Sequence, residues 1–277
     1  MVEVGGIIPK GGCVMKRMLA IPLLIVNMAA VRTAARQEKT EATILGSSFL
    51  PVTDGQGAIR INSFGNAGFD PSRLGFSIGG VGHLAEFNNY VSINNGRVEI
   101  TGESGLGWSV VSPLAIDGGT ATSTVQRQDA LQIRFTQTVR DNGGGLVDWF
   151  VSAQFTNLSG AELDVCYFPY LDYDLFGTEL NDTATYSAVD DDFVRPAVRV
   201  RKLGREEVFV FVDLDGSSTE WRIRQWTSDS FSGEGCITLD DMVTPFGPGD
   251  FTSAYKFPLA LAPGETVAID LQLGRFQ

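Results

Sequence analysis

Apolar and polar residues alternate one for one along most of this chain, and that pattern restricts the backbone more than any other feature. In a strand successive side chains point to opposite faces, so a strict period of two puts one set of residues on one side. Leu131, Ile133 and Phe135 alternate with Gln132, Arg134 and Thr136, while Val267, Ile269, Leu271 and Leu273 alternate with Ala268, Asp270 and Gln272. Trp149, Val151, Ala153 and Phe155 share one face, and Phe150 on the other side implies cover there too. Val208-Phe209-Val210-Phe211-Val212 is apolar on both faces and reads as a central strand shielded by both layers. After residue 35 no window keeps apolar residues at three-and-four spacing for three turns, so helices are expected to be few and short.

Turn chemistry falls between these runs. Asn94-Asn95-Gly96 separates Tyr90–Ile93 from the segment beginning at Arg97, and Asn and Gly tolerate the positive φ of a tight hairpin. Asp141 to Gly145 and Asn157 to Gly160 are read in the same way, which predicts three antiparallel neighbours in succession. The fold class is all-β: one large antiparallel β-sandwich, super-sandwich-like in its strand number, over residues 44–277. Two sandwiches with a seam near Ile116 to Thr122 are the alternative. No repeat of propeller or β-helix period is present.

The first residues read differently. Lys16 and Arg17 precede an apolar run from Leu19 to Val26, and small residues follow at Ala29, Ala30, Ala34 and Ala35, the pattern of a secretory signal peptide. The run is too short to span a bilayer, and no later stretch approaches that length. Residues 1–35 are therefore expected to be an N-terminal extension plus signal, with Met15 a candidate start, and residues 36–43 a polar leader. A secreted or periplasmic location follows. Across the 277 residues 21 Lys and Arg face 33 Asp and Glu, a net charge of −12. Such a charge argues against nucleic acid and leaves cations and neutral partners unhindered.

Cys166 and Cys236 remain after processing, and in an oxidising compartment an even pair fits a disulfide. Two buried thiols are the other reading.

One histidine, His83, removes most catalytic options. Gly75-Phe76-Ser77-Ile78-Gly79 matches a nucleophile elbow, but no His follows it to act as base. Zinc wants more Cys and His than are present. Carboxylates are abundant instead. Asp172, Asp174 and Asp182 are candidates to gather round a calcium ion, as are Asp213 and Asp215, although the latter pair lacks the remaining positions of an EF-hand. The same groups, with Asp190-Asp191-Asp192, are the candidate acids of a glycosidase. Tyr167, Tyr170, Tyr173 and Arg195 are candidate proton abstractors for a lyase. Among aromatics, Tyr170, Tyr173 and Trp226 are candidate sugar platforms. In Trp221 to Trp226 the period of two puts Trp226 beside Arg222 and Arg224 if Trp221 faces the core.

The turn Thr156 to Gly160, Tyr170-Leu171-Asp172 and the closing Ala262-Pro263-Gly264-Glu265 resemble exported bacterial β-sandwich proteins and sugar-related sandwich domains. The function expected is binding of a carbohydrate or cell-envelope component without catalysis. The alternatives are a carbohydrate-active hydrolase or lyase using loop carboxylates, and a structural envelope component. No cofactor is expected beyond calcium.

Overall fold

A computed structural model describes residues 48–51, 58–67, 76–78, 81–143, 146–178, 180–206, 208–226, 233–240 and 243–276. The signal, the leader and Cys13 lie outside the described residues. Seventeen strands are described: β1 Ser48–Pro51, β2 Ala58–Ile61, β3 Phe76–Ile78, β4 Val81–Ile93, β5 Glu99–Ile100, β6 Trp108–Asp117, β7 Thr120–Arg127, β8 Leu131–Gly143 and β9 Leu146–Asn157, followed by β10 Leu163–Tyr173, β11 Asp182–Ser187, β12 Ala197–Lys202, β13 Val208–Asp213, β14 Glu220–Gln225, β15 Phe246–Gly249, β16 Phe251–Leu261 and β17 Thr266–Phe276. One 3-10 turn, Leu175–Gly177, is the sole helical piece among the described residues. No described helix is long and apolar enough to cross a membrane.

Two antiparallel sheets result. The eight-stranded sheet runs β1-β2-β3-β4-β10-β16-β14, with β5 paired to β4, and the nine-stranded sheet runs β15-β11-β12-β13-β17-β9-β8-β7-β6. They pack face to face through rings supplied by both: Phe87 meets Trp149 at 5.1 Å, Phe155 meets Tyr167 at 4.9 Å, and Phe211 meets Tyr255 at 4.6 Å between centroids. The alternating residues of β8, β9 and β17 point into this layer as their period requires. Arg140 lies 4.8 Å over the Phe150 ring and supplies the outer cover for that residue. Val208, Val210 and Val212 are covered on the far side by Phe193 and Leu214, which explains why β13 is apolar on both faces.

The hairpin at Asn94-Asn95 forms with φ of 50° and 58°, and β4 returns to β5. The turn after Asn157 behaves differently from expectation. β9 pairs with β8 and β17, whereas β10 pairs with β4 and β16, so the chain changes sheets there. The Asn157 side chain holds this crossover: Nδ2 donates to Ala161 O and Leu261 O at 2.8 Å, and Oδ1 accepts from the Ser159 amide and hydroxyl. Local turn residues cannot separate a hairpin from a crossover, because both need the same bend. The stretch from Ile116 to Thr122 is an ordinary hairpin between β6 and β7 inside one sheet.

Candidate functional site

The face of the eight-stranded sheet turned away from the other sheet has an unexpected composition. Phe87, Tyr167, Leu171, Tyr255 and Ile223 point into the core, so their even-numbered neighbours must point outward. Cross-strand register aligns these in rows: Glu86 opposite Asp172, Asp172 opposite Thr252, Thr252 opposite Arg224; then Asn88 opposite Tyr170, Tyr170 opposite Ala254, Ala254 opposite Arg222. An outward face of an antiparallel sheet is ordinarily wet. Here Asp172 is 0% exposed, Thr252 2%, Asn88 3%, Arg222 3% and Glu86 7%. Burying so many polar and charged groups outside the core costs stability unless they satisfy one another or serve a site.

They form a connected set. Asn88 Nδ2 donates to Glu86 Oε2 at 2.8 Å, and the Asn88 side chain is also hydrogen-bonded to the Tyr90 hydroxyl. Burial holds the Tyr90 hydroxyl well above the ordinary phenol range, the Glu86 and Glu103 charges push it the same way, and the Asn88 hydrogen bond and the Arg222 charge oppose them. The Arg222 charge reaches Tyr90 although β10 and β16 lie between their strands. Tyr90 and Tyr170 meet edge to face at 5.9 Å.

One end of this floor is roofed by the segment Gly233–Asp240. The Cys166–Cys236 disulfide ties it down, with Cα atoms 5.3 Å apart. The Val98 amide donates to Gly233 O, the Gly235 amide to Gly96 O, and the Leu239 amide to the Glu220 carboxylate. Leu239 and Ile237 then pack on Tyr90, Phe168 and Tyr170. Arg224 and Trp226 are half-buried at the opposite margin.

The structure thus brings Tyr170, Asp172, Arg222 and Arg224 onto one surface and separates the other candidates from it. Tyr173 is not a platform: it falls with Tyr167 and Leu171 on the core face of β10, where its hydroxyl meets Ser253 Oγ at 3.0 Å and its ring stacks on Phe251. Tyr170 is 1% exposed beneath Leu239 and Ile237 and offers no open ring. Trp226 follows the end of β14 and continues the ladder by donating its amide to Asp250 O. Trp221 faces inward, as the period predicts, and stacks on Tyr186 at 4.0 Å. Tyr167 is buried with its hydroxyl donating to Asn89 Oδ1 at 2.6 Å, and burial pushes its ionisation far above the range of a base.

The metal candidates fall apart in a similar way. Asp213 accepts the Gly216 and Ser218 amides and closes a turn, and Asp215 accepts the Asp270 amide and ties that turn to β17. Asp190 and Asp192 clamp Arg199. Asp182 faces Lys202 at 3.3 Å. Among the described residues no group of three or more His, Cys, Asp or Glu side chains is placed to hold a metal ion. β3 leads into β4 as a strand pair, so Ser77 lacks the strand-turn-helix setting of an elbow; the Ser77 and His83 side chains are outside those described. Glu86, Asn88, Tyr90 and Thr252 were not singled out from sequence. Their alternation with Phe87, Val91 and Phe251 was the available signal, but it reads equally as a solvated face.

No family model matches the chain, and no curated relative does. Solved structures do match: a bacterial glucoamylase in complex with acarbose, at 9% identity over 84% of this chain and 32% of that one, TM-score 0.49, and a polysaccharide lyase, at 13% identity over 70% and 25%, TM-score 0.40. The chain spans about a third of the glucoamylase and a quarter of the lyase. A galactose mutarotase-like protein from Lactobacillus casei ATCC 334 is matched over its whole length, at 9% identity over 83% of this chain, TM-score 0.45. The structural neighbours of this β-sandwich are thus carbohydrate-active enzymes and a mutarotase-like protein.

Proposed function

We propose that the outer face of the eight-stranded sheet binds a neutral carbohydrate, in a protein exported to the periplasm or beyond. The observation that carries this reading is the pair of rows Glu86-Asp172-Thr252-Arg224 and Asn88-Tyr170-Ala254-Arg222. Two carboxylates and two guanidiniums cancel in charge, and together with an amide and hydroxyls they present both donors and acceptors. Sugar hydroxyls require both, and charge-assisted bonds to them are the strong ones. Entry is from the side of Arg224 and Trp226. The test is a glycan array followed by titration of the best binder. Arg224→Ala and Asp172→Asn are expected to weaken binding by about tenfold or more while the chain stays folded. Silence across the array, or unchanged affinity in both variants, would remove the proposal.

A catalytic reading has one observation in its favour: Glu86 and Asp172 stand directly opposite each other on adjacent strands, where Cβ atoms are about 5 Å apart. Two acids side by side on one face are the residue types that work together on a glycosidic bond. It predicts product release from a polysaccharide that Glu86→Gln abolishes, and a panel without turnover would count against it.

A further inference from the structure

We infer that Leu175, Thr178, Leu180 and Asp182 form a binding cage for a monovalent cation, and that Lys202 fills it from β12 with its own ammonium group. Lys202 Nζ is 2.9 Å from Leu175 O, 3.3 Å from Thr178 O, 2.5 Å from Thr178 Oγ1, 2.7 Å from Leu180 O and 3.3 Å from Asp182 Oδ1. Five oxygens surround it, and an ammonium has only three hydrogens to give. The surplus oxygens are therefore held by charge, which is the pattern of a hard-cation site built from carbonyls and one carboxylate. The backbone is bent to make it. Phe176, Gly177 and Asn181 have φ of 57°, 74° and 67°, a conformation that non-glycine residues bear only where the surroundings enforce it.

Among the described residues one carboxylate is in direct contact with the ammonium, and a single positive charge balances it. Asp182 Oδ2 is engaged by the Leu175 amide at 3.3 Å, which closes the loop on itself. Asp174 adds negative field from the loop's entry. Asp182, one of the three carboxylates expected to gather round calcium, has this ammonium as its neighbour. The cage also fastens the chain three residues beyond Asp172, where β10 leaves the proposed ligand face; the inference stands without that proposal.

The test uses Lys202→Met, which keeps the stem and removes the ammonium. At pH 8 in choline chloride its thermal midpoint is expected to fall by roughly 10 °C, the scale for uncovering a buried charge in a chain of this size. Ammonium or potassium chloride at the same ionic strength should recover several degrees, rising with the logarithm of concentration. The unaltered protein, and Lys202→Met combined with Asp182→Asn, should show no such rise. Lys202→Gln, which retains a donor without charge, is run alongside. Equal midpoints in choline and potassium, a variant unfolded in every salt, or full stability of Lys202→Gln in choline would each overturn the inference.

Discussion

The outer faces of the two sheets carry the same sequence signature and meet opposite fates. Over β7, β8 and β9 the row Thr124, Arg134, Gln154, continued by Ala268 on β17, looks into water, with Arg134, Gln154 and Ala268 exposed. Over β4, β10, β16 and β14 the equivalent row from Glu86 to Arg224 is almost dry. Period two therefore tells which residues share a face and nothing about what lies above it. A polar face that folding removes from solvent is the anomaly, and such anomalies concentrate at sites where function overrides stability.

The sharpest way to break this comparison is to truncate one arginine on each face. Arg222→Ala should destabilise by about 3 kcal/mol or more, because it leaves Glu86, Asn88 and their neighbours in a dry layer without the charge that balances them. Arg134→Ala should stay within about 0.5 kcal/mol, as exposed positions do. Urea unfolding of both variants decides it, and equal losses would make the two faces the same kind of surface.

A smaller effect separates two acids beside the nine-stranded sheet. Burial raises the Asp182 carboxyl to about 7, against the pull of Lys202 and the Leu175 amide and with the help of Asp174. A raised carboxyl favours the folded state when protonated, so its contribution is complete below about pH 4 and is lost as pH climbs through about 7. Asp190 is the reverse: the Arg199 hydrogen bonds hold it below the ordinary range, so its contribution is present at neutral pH and disappears on acidification. Asp182→Asn should flatten the stability profile between about pH 4 and 7, and Asp190→Asn should flatten only its acid limb. Coincident profiles for the two variants would contradict both assignments.

Much of the architecture was legible. The faces of β8, β9, β13 and β17 and the Asn94-Asn95 hairpin follow from alternation and turn chemistry alone, since those depend on neighbours in sequence. Cys166 and Cys236 could be paired only as an even number, because their meeting depends on where a distant loop lands. Tyr173 was legible too: it is three residues from Tyr170, an odd separation, so alternation puts the two rings on opposite faces of β10, and grouping them as one platform overlooked it. Asp172 and Arg222 were singled out for chemistry with no means of seeing that they share a face, for that requires knowing that β16 lies between β10 and β14.

The crossover at Asn157 has a consequence in time. β6, β7 and β8 each pair with the next strand in sequence, so that part of the nine-stranded sheet closes only short loops, whereas β4, β10, β16 and β14 are drawn from positions spread between residues 81 and 261. Loop closure is entropically cheapest for the local set. In pulsed hydrogen exchange, amides of residues 108–157 should gain protection first and those of Glu86, Asp172 and Arg222 late; simultaneous protection would refute this order. The dry polar face is then the last surface the chain assembles, and its groups stay hydrated until the rest of the sandwich is in place.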